Sequence, residues 1–232
     1  MRNKSLLMSG TTGMEMMTCW WTDSHSMAHG RLPRRRAAEH IMWMRVQHTP
    51  RRRWTEQEFY AARDAAPAGE RWELVDGDVL VTPSPHWSHQ SIVTQLVVLL
   101  NAYVRGQQLG AVFAAPLDVK LEPGMVTQPD VLVVPKGQLR SDEYFVRSLL
   151  LAVETLSPSS ARFDRVVKRP HYQRKRVAEY WIVDRESRTF ERWQPDDERP
   201  AILSETLVWH PTGATEPFTL DIPAFFRDAE PL

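Results

Sequence analysis

Two acidic residues stand where a folded chain has little reason to put them. Asp130 follows Pro129 and opens the apolar run VLVVP, and Glu154 lies inside LLLAVETL. A carboxylate in such surroundings is costly unless a cation or several hydrogen-bond donors meet it. One alone reads as an acid capping a loop. Two, each on a buried strand, are better explained by a shared divalent cation, with a structural ion pair as the alternative. An all-oxygen donor set without clustered Cys or His favours magnesium or manganese over zinc.

Further along, Asp164, Lys168 and Tyr172 recur at i, i+4 and i+8, which puts them on one face of a helix. Lys168 can then reach back over the sheet toward the carboxylates; on spacing alone, a solvated ion pair is the favoured account of the pattern. The other reactive residue types carry less. His86, His89 and His171 lack the spacing of a metal cluster, and Ser157 has no His–acid pair to activate it, so it reads as a helix cap. Tyr180, Trp181 and Trp193 read as sheet-packing aromatics. The stripe RVVKRPHYQRKR is a local basic face that either meets phosphates or is simply solvated.

These residues need elements to position them, and the punctuation from Trp54 onward is regular. Thr55 with Glu58 three residues later is a capping box, opening a helix that Pro67 and Gly69 stop. RWELVDGDVLVTP is a hairpin, two alternating runs around Asp76-Gly77. The stripe Ile92, Leu96, Leu99, Leu100, Tyr103 marks a helix ending at Gly106. AVFAAPLDVKLE, QPDVLVVP, LLLAVETL, EYWIVD and RTFERWQ read as strands, the third and fourth apolar enough to be buried on both faces. A single helix is expected after Ser157-Pro158, and edge strands with a closing turn from LVWHPTG through FTLDIPAFF. The order describes an α/β fold, a mixed central sheet flanked by helices.

The chain has 232 residues, 42% of them hydrophobic, enough for one core and too little for two. Its 29 basic and 29 acidic residues cancel, so nucleic-acid affinity must come from a local patch. The single cysteine, Cys19, excludes a disulfide framework and fits a reducing cytosol; a cytoplasmic location is expected. No apolar run approaches the roughly 20 residues of a membrane span, and the first residues lack a secretory h-region. Residues 1–53, rich in Met, Ser, His and Arg without period, read as a poorly ordered basic extension or an over-long gene start. A basic arm gripping phosphates is the alternative. Residues 54–232 form the folded domain.

From about Trp54 to Phe226 the sequence resembles the Uma-type restriction-endonuclease family, a bacterial branch of the PD-(D/E)xK nuclease superfamily. The resemblance is carried by WELVDGDV, TPSPHWSHQ, APLDVKL, QPDVLVVP, VETLSPSS, DRVVKRPHY and EYWIVD, in that order and spacing. It implies the restriction-endonuclease-like fold and a metal-dependent DNA endonuclease that hydrolyses phosphodiesters with magnesium or manganese. Asp130 and Glu154 become the catalytic metal ligands, with Glu73 completing the metal shell, and Lys168 takes the role of the superfamily's lysine. Asp118 matches a further acid of the family, His89 and Gln128 match polar positions flanking the site, and Asp164 and Tyr172 are expected to fix Lys168. By analogy with enzymes that cut both strands, a homodimer is expected.

Two positions depart from the pattern. Leu156 stands where the superfamily's lysine usually follows the second acid, and Pro170 interrupts the helix two residues after Lys168. An interior proline kinks a helix at a cost of about 3 kcal/mol, which puts the aim of Lys168 in question. The rival reading is a catalytically weak or inactive nuclease-fold protein that binds nucleic acid or a partner protein; a third is another hydrolase on the same scaffold.

Overall fold

The structure, a computed structural model, describes residues 53–139, 142–157 and 160–230. Apart from Arg53, the expectations for the N-terminal extension lie outside the described residues.

Helix α1 (Glu56–Ala65) opens on the expected capping box: Thr55 Oγ1 accepts the Glu58 N–H at 3.2 Å, and the Glu58 carboxylate accepts the Thr55 N–H at 3.0 Å. The hairpin follows as β1 (Arg71–Val75) and β2 (Asp78–Thr82). Its two turn residues, Asp76 at φ 53° and Gly77 at φ 76°, are both left-handed, the geometry whose twist matches the flanking strands. Helix α2 (Trp87–Gly106) buries Ile92, Val93, Leu96, Leu100 and Val104 along one stripe.

The run AVFAAPLDVKLE does not form one strand. It divides around Pro116, which has no N–H to give a ladder, into β3 (Gly110–Ala114) and β4 (Asp118–Val119). Next come β5 (Val131–Pro135), β6 (Phe145–Val146), which pairs in parallel with β4, and β7 (Leu151–Thr155). The chain continues through β8 (Glu179–Asp184), β9 (Thr189–Trp193) and β10 (Ala201–Leu203). The central six-stranded sheet has the order β10-β9-β8-β7-β5-β3, antiparallel except for the β7–β8 pair.

Strands β5 and β7 are apolar throughout because both faces of the sheet are covered. Val131, Val133, Leu151 and Val153 face α2; Leu132, Val134 and Ala152 face a second core with Tyr172, Tyr180 and Ile182. A smaller cluster of Phe59, Leu74 and Val126 joins α1 and the hairpin to the loop before β5.

The tail also departs from expectation. Strands β11 (Thr206–Trp209) and β12 (Phe218–Asp221) pair with each other as a separate two-stranded sheet. The stretch read as a closing turn is a helix, α4 (Ile222–Ala229), capped by Asp221, whose Oδ1 accepts the Ala224 N–H at 2.8 Å. It buries Ile222, Phe225 and Phe226 against the core that holds α2. IPAFF is too short for a helical period to show.

Because β7 and β8 run parallel, the chain between them must cross back over the sheet. Part of that crossover is a π-helical turn, Phe163–Lys168, followed directly by α3 (Arg169–Arg174) with Pro170 in its first turn. The single regular helix expected here is thus replaced by two pieces. Pro170 has no N–H for Val166, and its ring would press on that carbonyl in a regular helix. The wider turn removes the conflict, and the Arg169 N–H bonds back five residues to the Asp164 carbonyl.

Candidate active site

Strand register brings the two acids together. Val131 stands opposite Val153 and Leu132 opposite Ala152, so one further step places Asp130 opposite Glu154 at the end of the sheet. Both project from the face that carries Leu132 and Ala152. Same-face partners across antiparallel strands have Cβ atoms roughly 4.5–5.5 Å apart. Asp130 is 2% exposed and Glu154 1%.

Three other elements supply their partners. The crossover brings Lys168, fully buried, to 2.8 Å from Glu154 Oε1, 2.8 Å from Glu73 Oε2 and 3.3 Å from Asp164 Oδ1. The expected face of Asp164, Lys168 and Tyr172 is indeed the buried one, but Tyr172 does not hold the lysine by a hydrogen bond. Its hydroxyl donates to Thr127 Oγ1 at 3.1 Å, and its ring packs on Tyr180. Strand β1 supplies Glu73, whose Oε1 accepts the Gln128 N–H at 2.7 Å, and Arg71, whose Nη1 is bonded to Asp130 Oδ1. Helix α2 supplies His89, with Nε2 at 3.0 Å from Asp130 Oδ2, and the Thr155 N–H donates to that same oxygen at 2.8 Å.

The two acids therefore sit in different fields. Burial works to raise the Asp130 pKa, but the His89 hydrogen bond, the Arg71 charge and the Thr155 N–H outweigh it and hold the carboxyl down at about 2. Glu154 goes the other way. Burial pushes its pKa well above the carboxylate range, and Lys168 offsets that only in part because Asp164, Asp130 and Glu73 add repulsion. Asp164 is raised for similar reasons. Burial pulls the Lys168 ammonium down, and Glu154, Glu73 and Asp164 together lift it well above its ordinary value, so it stays charged.

A cleft of about 750 Å³ opens on this end of the sheet. Asp130, Thr155 and Gln128 line it together with the cationic Arg63, Arg71 and Arg185. Glu154 and Lys168 do not line it. Asp118 also lines it but belongs to a separate set: Arg63 Nη1 meets both of its oxygens at 2.9 and 3.0 Å, and Gln128 Nε2 donates to it at 2.7 Å. It makes no bond to Asp130, Glu154 or Lys168.

Arg71, Arg63 and Thr155 have no place in the sequence reading. Arg71 carried a usable signal, since it precedes Glu73 by two residues on a strand and must share its face.

The donor set suits a hard divalent cation. Four buried carboxylates, Glu73, Asp130, Glu154 and Asp164, face two cations, Lys168 and Arg71, and the buried Oε1 of Gln128 lacks a hydrogen-bond partner. Among the described residues, however, no three His, Cys, Asp or Glu side chains converge as a ready-made cage, and Glu73 lies against Lys168. The arrangement suits the habit of magnesium, one or two carboxylates with the remaining positions left to water and a substrate phosphate.

A mixed central sheet with helices on both faces is the restriction-endonuclease-like fold. The profile of the Uma2 family, described as "Putative restriction endonuclease", matches residues 56–223, and the chain belongs to that family. Among solved structures it is similar to one titled a putative nuclease of the DUF820 group from Anabaena variabilis. The TM-score is 0.64 and the identity 22%, over 76% of this chain and 99% of that one. The family match points to a nuclease, and the solved neighbour shares the fold. No curated protein matches the chain. No helix among the described residues is long and apolar enough to cross a membrane.

Proposed function

We propose that the protein is a metal-dependent DNA endonuclease that hydrolyses phosphodiester bonds at the Asp130–Glu154 end of the central sheet. One observation carries this reading: Asp130 and Glu154 lie one step past the Val131–Val153 register pair and on one face, Asp130 on the wall of a cleft and Glu154 bonded to Lys168 from behind. Asp130 and Glu154 would hold magnesium or manganese, with Glu73 near enough to complete the set. When bound, such a cation lowers the pKa of a water and polarises a phosphoryl oxygen.

The chain's own groups divide the remaining work. Asp130, held ionised by His89, Arg71 and the Thr155 N–H, presents a fixed anionic face to the cleft. Lys168 keeps Glu154 oriented; buried and absent from the cleft wall, it acts through that carboxylate. Asp164 and Glu73 hold the lysine in turn. Arg185, and Arg63 beside its partner Asp118, are the cleft-wall cations that would meet the backbone phosphates of a nucleic acid, although the acids of the wall, Glu70, Asp118 and Asp130, equal its three arginines in number. A homodimer working on two strands, in the cytoplasm, completes the reading.

A second reading, a nuclease-fold protein that binds nucleic acid or a partner without cutting, draws on the fact that Arg71 and Lys168 already neutralise part of the acid set. Plasmid cleavage separates the two. With magnesium or manganese the intact protein should nick or linearise plasmid, and Asp130→Asn, Glu154→Gln and Lys168→Met should each lose at least about a hundredfold in rate, the scale of removing a key electrostatic group. Cleavage that survives all three substitutions overturns the proposal. DNA retention without cleavage in either metal selects the second reading.

A further inference from the structure

Arg71 is the residue the acid pair was not expected to have. Its Nη1 is bonded to Asp130 Oδ1 and its side chain is only 21% exposed, on the wall of the cleft. The opposite oxygen of Asp130 is taken by His89 and the Thr155 N–H, so Oδ1 is the side left for a cation, and a guanidinium has it. The charge on Arg71 also feels Glu154 and Glu73, the two other carboxylates assigned to the metal; burial works to lower its pKa, and the three acids together raise it above its ordinary value. Two organic cations thus stand among the three groups that a divalent ion would use, Lys168 on Glu154 and Glu73 and Arg71 on Asp130, and of the two only Arg71 lines the cleft.

Resting on the metal-dependent reading above, we propose that Arg71 is a built-in competitor for the metal: its guanidinium and the divalent cation occupy the Asp130 Oδ1 position in turn, so metal entry requires the Arg71–Asp130 pair to open. The physical ground is charge balance. A divalent ion and a guanidinium against one carboxylate oxygen repel each other, and the low-dielectric setting enlarges that repulsion. The displaced guanidinium has a place to go. It already lines the cleft, and its planar fork suits a phosphate as well as a carboxylate. The exchange ties metal loading to the arrival of a phosphodiester, which supplies Arg71 with a replacement anion.

The test reads binding and conformation without relying on activity. Calorimetric Mn2+ titrations of the full chain, Arg71→Met, and Arg71→Met with Asp130→Asn should show affinity raised about tenfold or more by removing the arginine, and lost again in the double variant. A single short duplex, uncleavable at its phosphodiesters, should raise the Mn2+ affinity of the natural chain by several-fold more than that of Arg71→Met, whose gain comes from phosphate contact with the metal alone. Should Arg71→Met fold poorly, the natural chain still decides the matter. Its Arg71 Nε–Hε resonance, assigned by its disappearance in Arg71→Lys, should move during a Mg2+ titration with the same midpoint as the heat of Mg2+ binding measured on the same chain. Equal or weaker Mn2+ binding by Arg71→Met, or metal binding that leaves the Arg71 resonance unmoved, overturns the competition while leaving the metal-dependent nuclease intact. Absence of Mn2+ binding in every variant, with and without duplex, overturns both.

Discussion

Arg71 and Glu73 leave strand β1 on the same side, two residues apart, and each meets a group of opposite sign: Arg71 meets Asp130, and Glu73 meets Lys168. Strand alternation alone makes this possible, since residues i and i+2 share a face. The hairpin thereby braces both halves of the site at once, the acid that faces the cleft and the lysine buried behind it.

The lysine cluster should dominate stability. Lys168→Met leaves Glu73, Glu154 and Asp164 buried without their shared cation, and breaking a buried pair from one side costs about 3–5 kcal/mol. Urea unfolding should show this as a large drop in midpoint at pH 7, partly recovered in acid as the stranded carboxylates take up protons. A midpoint unchanged from the natural chain would mean that the cluster is not closed in solution.

Acid should act on the fold through Asp130. A carboxyl whose folded pKa lies below its unfolded value adds stability above the unfolded pKa, and that stability is lost as pH falls through the folded one. With Asp130 lowered from 3.8 to about 2, the window runs from about pH 4 down to about 2. The stability gap between the natural chain and Asp130→Asn should narrow across it by on the order of 2 kcal/mol. Glu154 and Asp164, raised, have the opposite sign: their contribution is fullest in acid and declines as pH rises. Being common to both proteins, it largely cancels in the comparison. A gap independent of pH would show that Asp130 titrates normally.

His171 should matter without touching the acids. Its Nε2 lies 2.8 Å from Asp76 and its Nδ1 3.1 Å from Glu122, tying α3 to the hairpin turn and to the loop after β4. His171→Ala should cost about 1–3 kcal/mol, the usual result of stripping a buried polar bridge. Amide exchange should quicken at Asp76 and Gly77. Exchange there equal to that of the natural chain would count against the tie.

Pro170→Ala tests whether the π-helical turn serves the site. Alanine restores an N–H and removes the ring, so a regular helix becomes available at the expense of the Lys168 cluster, and stability should fall by up to about 3–5 kcal/mol. The lysine would then be rotated away from Glu73 and Glu154, and plasmid cleavage should fall about tenfold or more. Retained cleavage in a protein of equal stability would show that the wide turn is incidental.

Much of this was legible in the sequence where the signal is local. The capping box at Thr55 and Glu58, the Asp76-Gly77 hairpin and the α2 stripe depend on residues within a turn or two of one another, and the structure has them where they were expected. The apolar runs around Asp130 and Glu154 announced buried strands because only a sheet covered on both faces sustains them. What was not legible depends on distance or competition. The partner of Arg71 lies 59 residues away, and an arginine on a hairpin strand ordinarily faces water. Pro170 signalled a break but not its form, because the conflict is relieved one turn earlier, at Phe163–Lys168. The tail helix hid because IPAFFRDA is shorter than the window in which a period of 3.6 can be counted.

The small cluster of Phe59, Leu74 and Val126 has a consequence out of proportion to its size. Arg71 and Glu73 come from a two-stranded sheet separate from the six-stranded one that bears Asp130 and Glu154, so the reactive groups lie along a seam between two pieces of scaffold. A seam is opened by its stitching. Trimming Phe59 alone, a side chain that lies under Arg63 and is bonded to neither acid, would slacken the hairpin and disarm both acids together, leaving the great sheet intact beneath them.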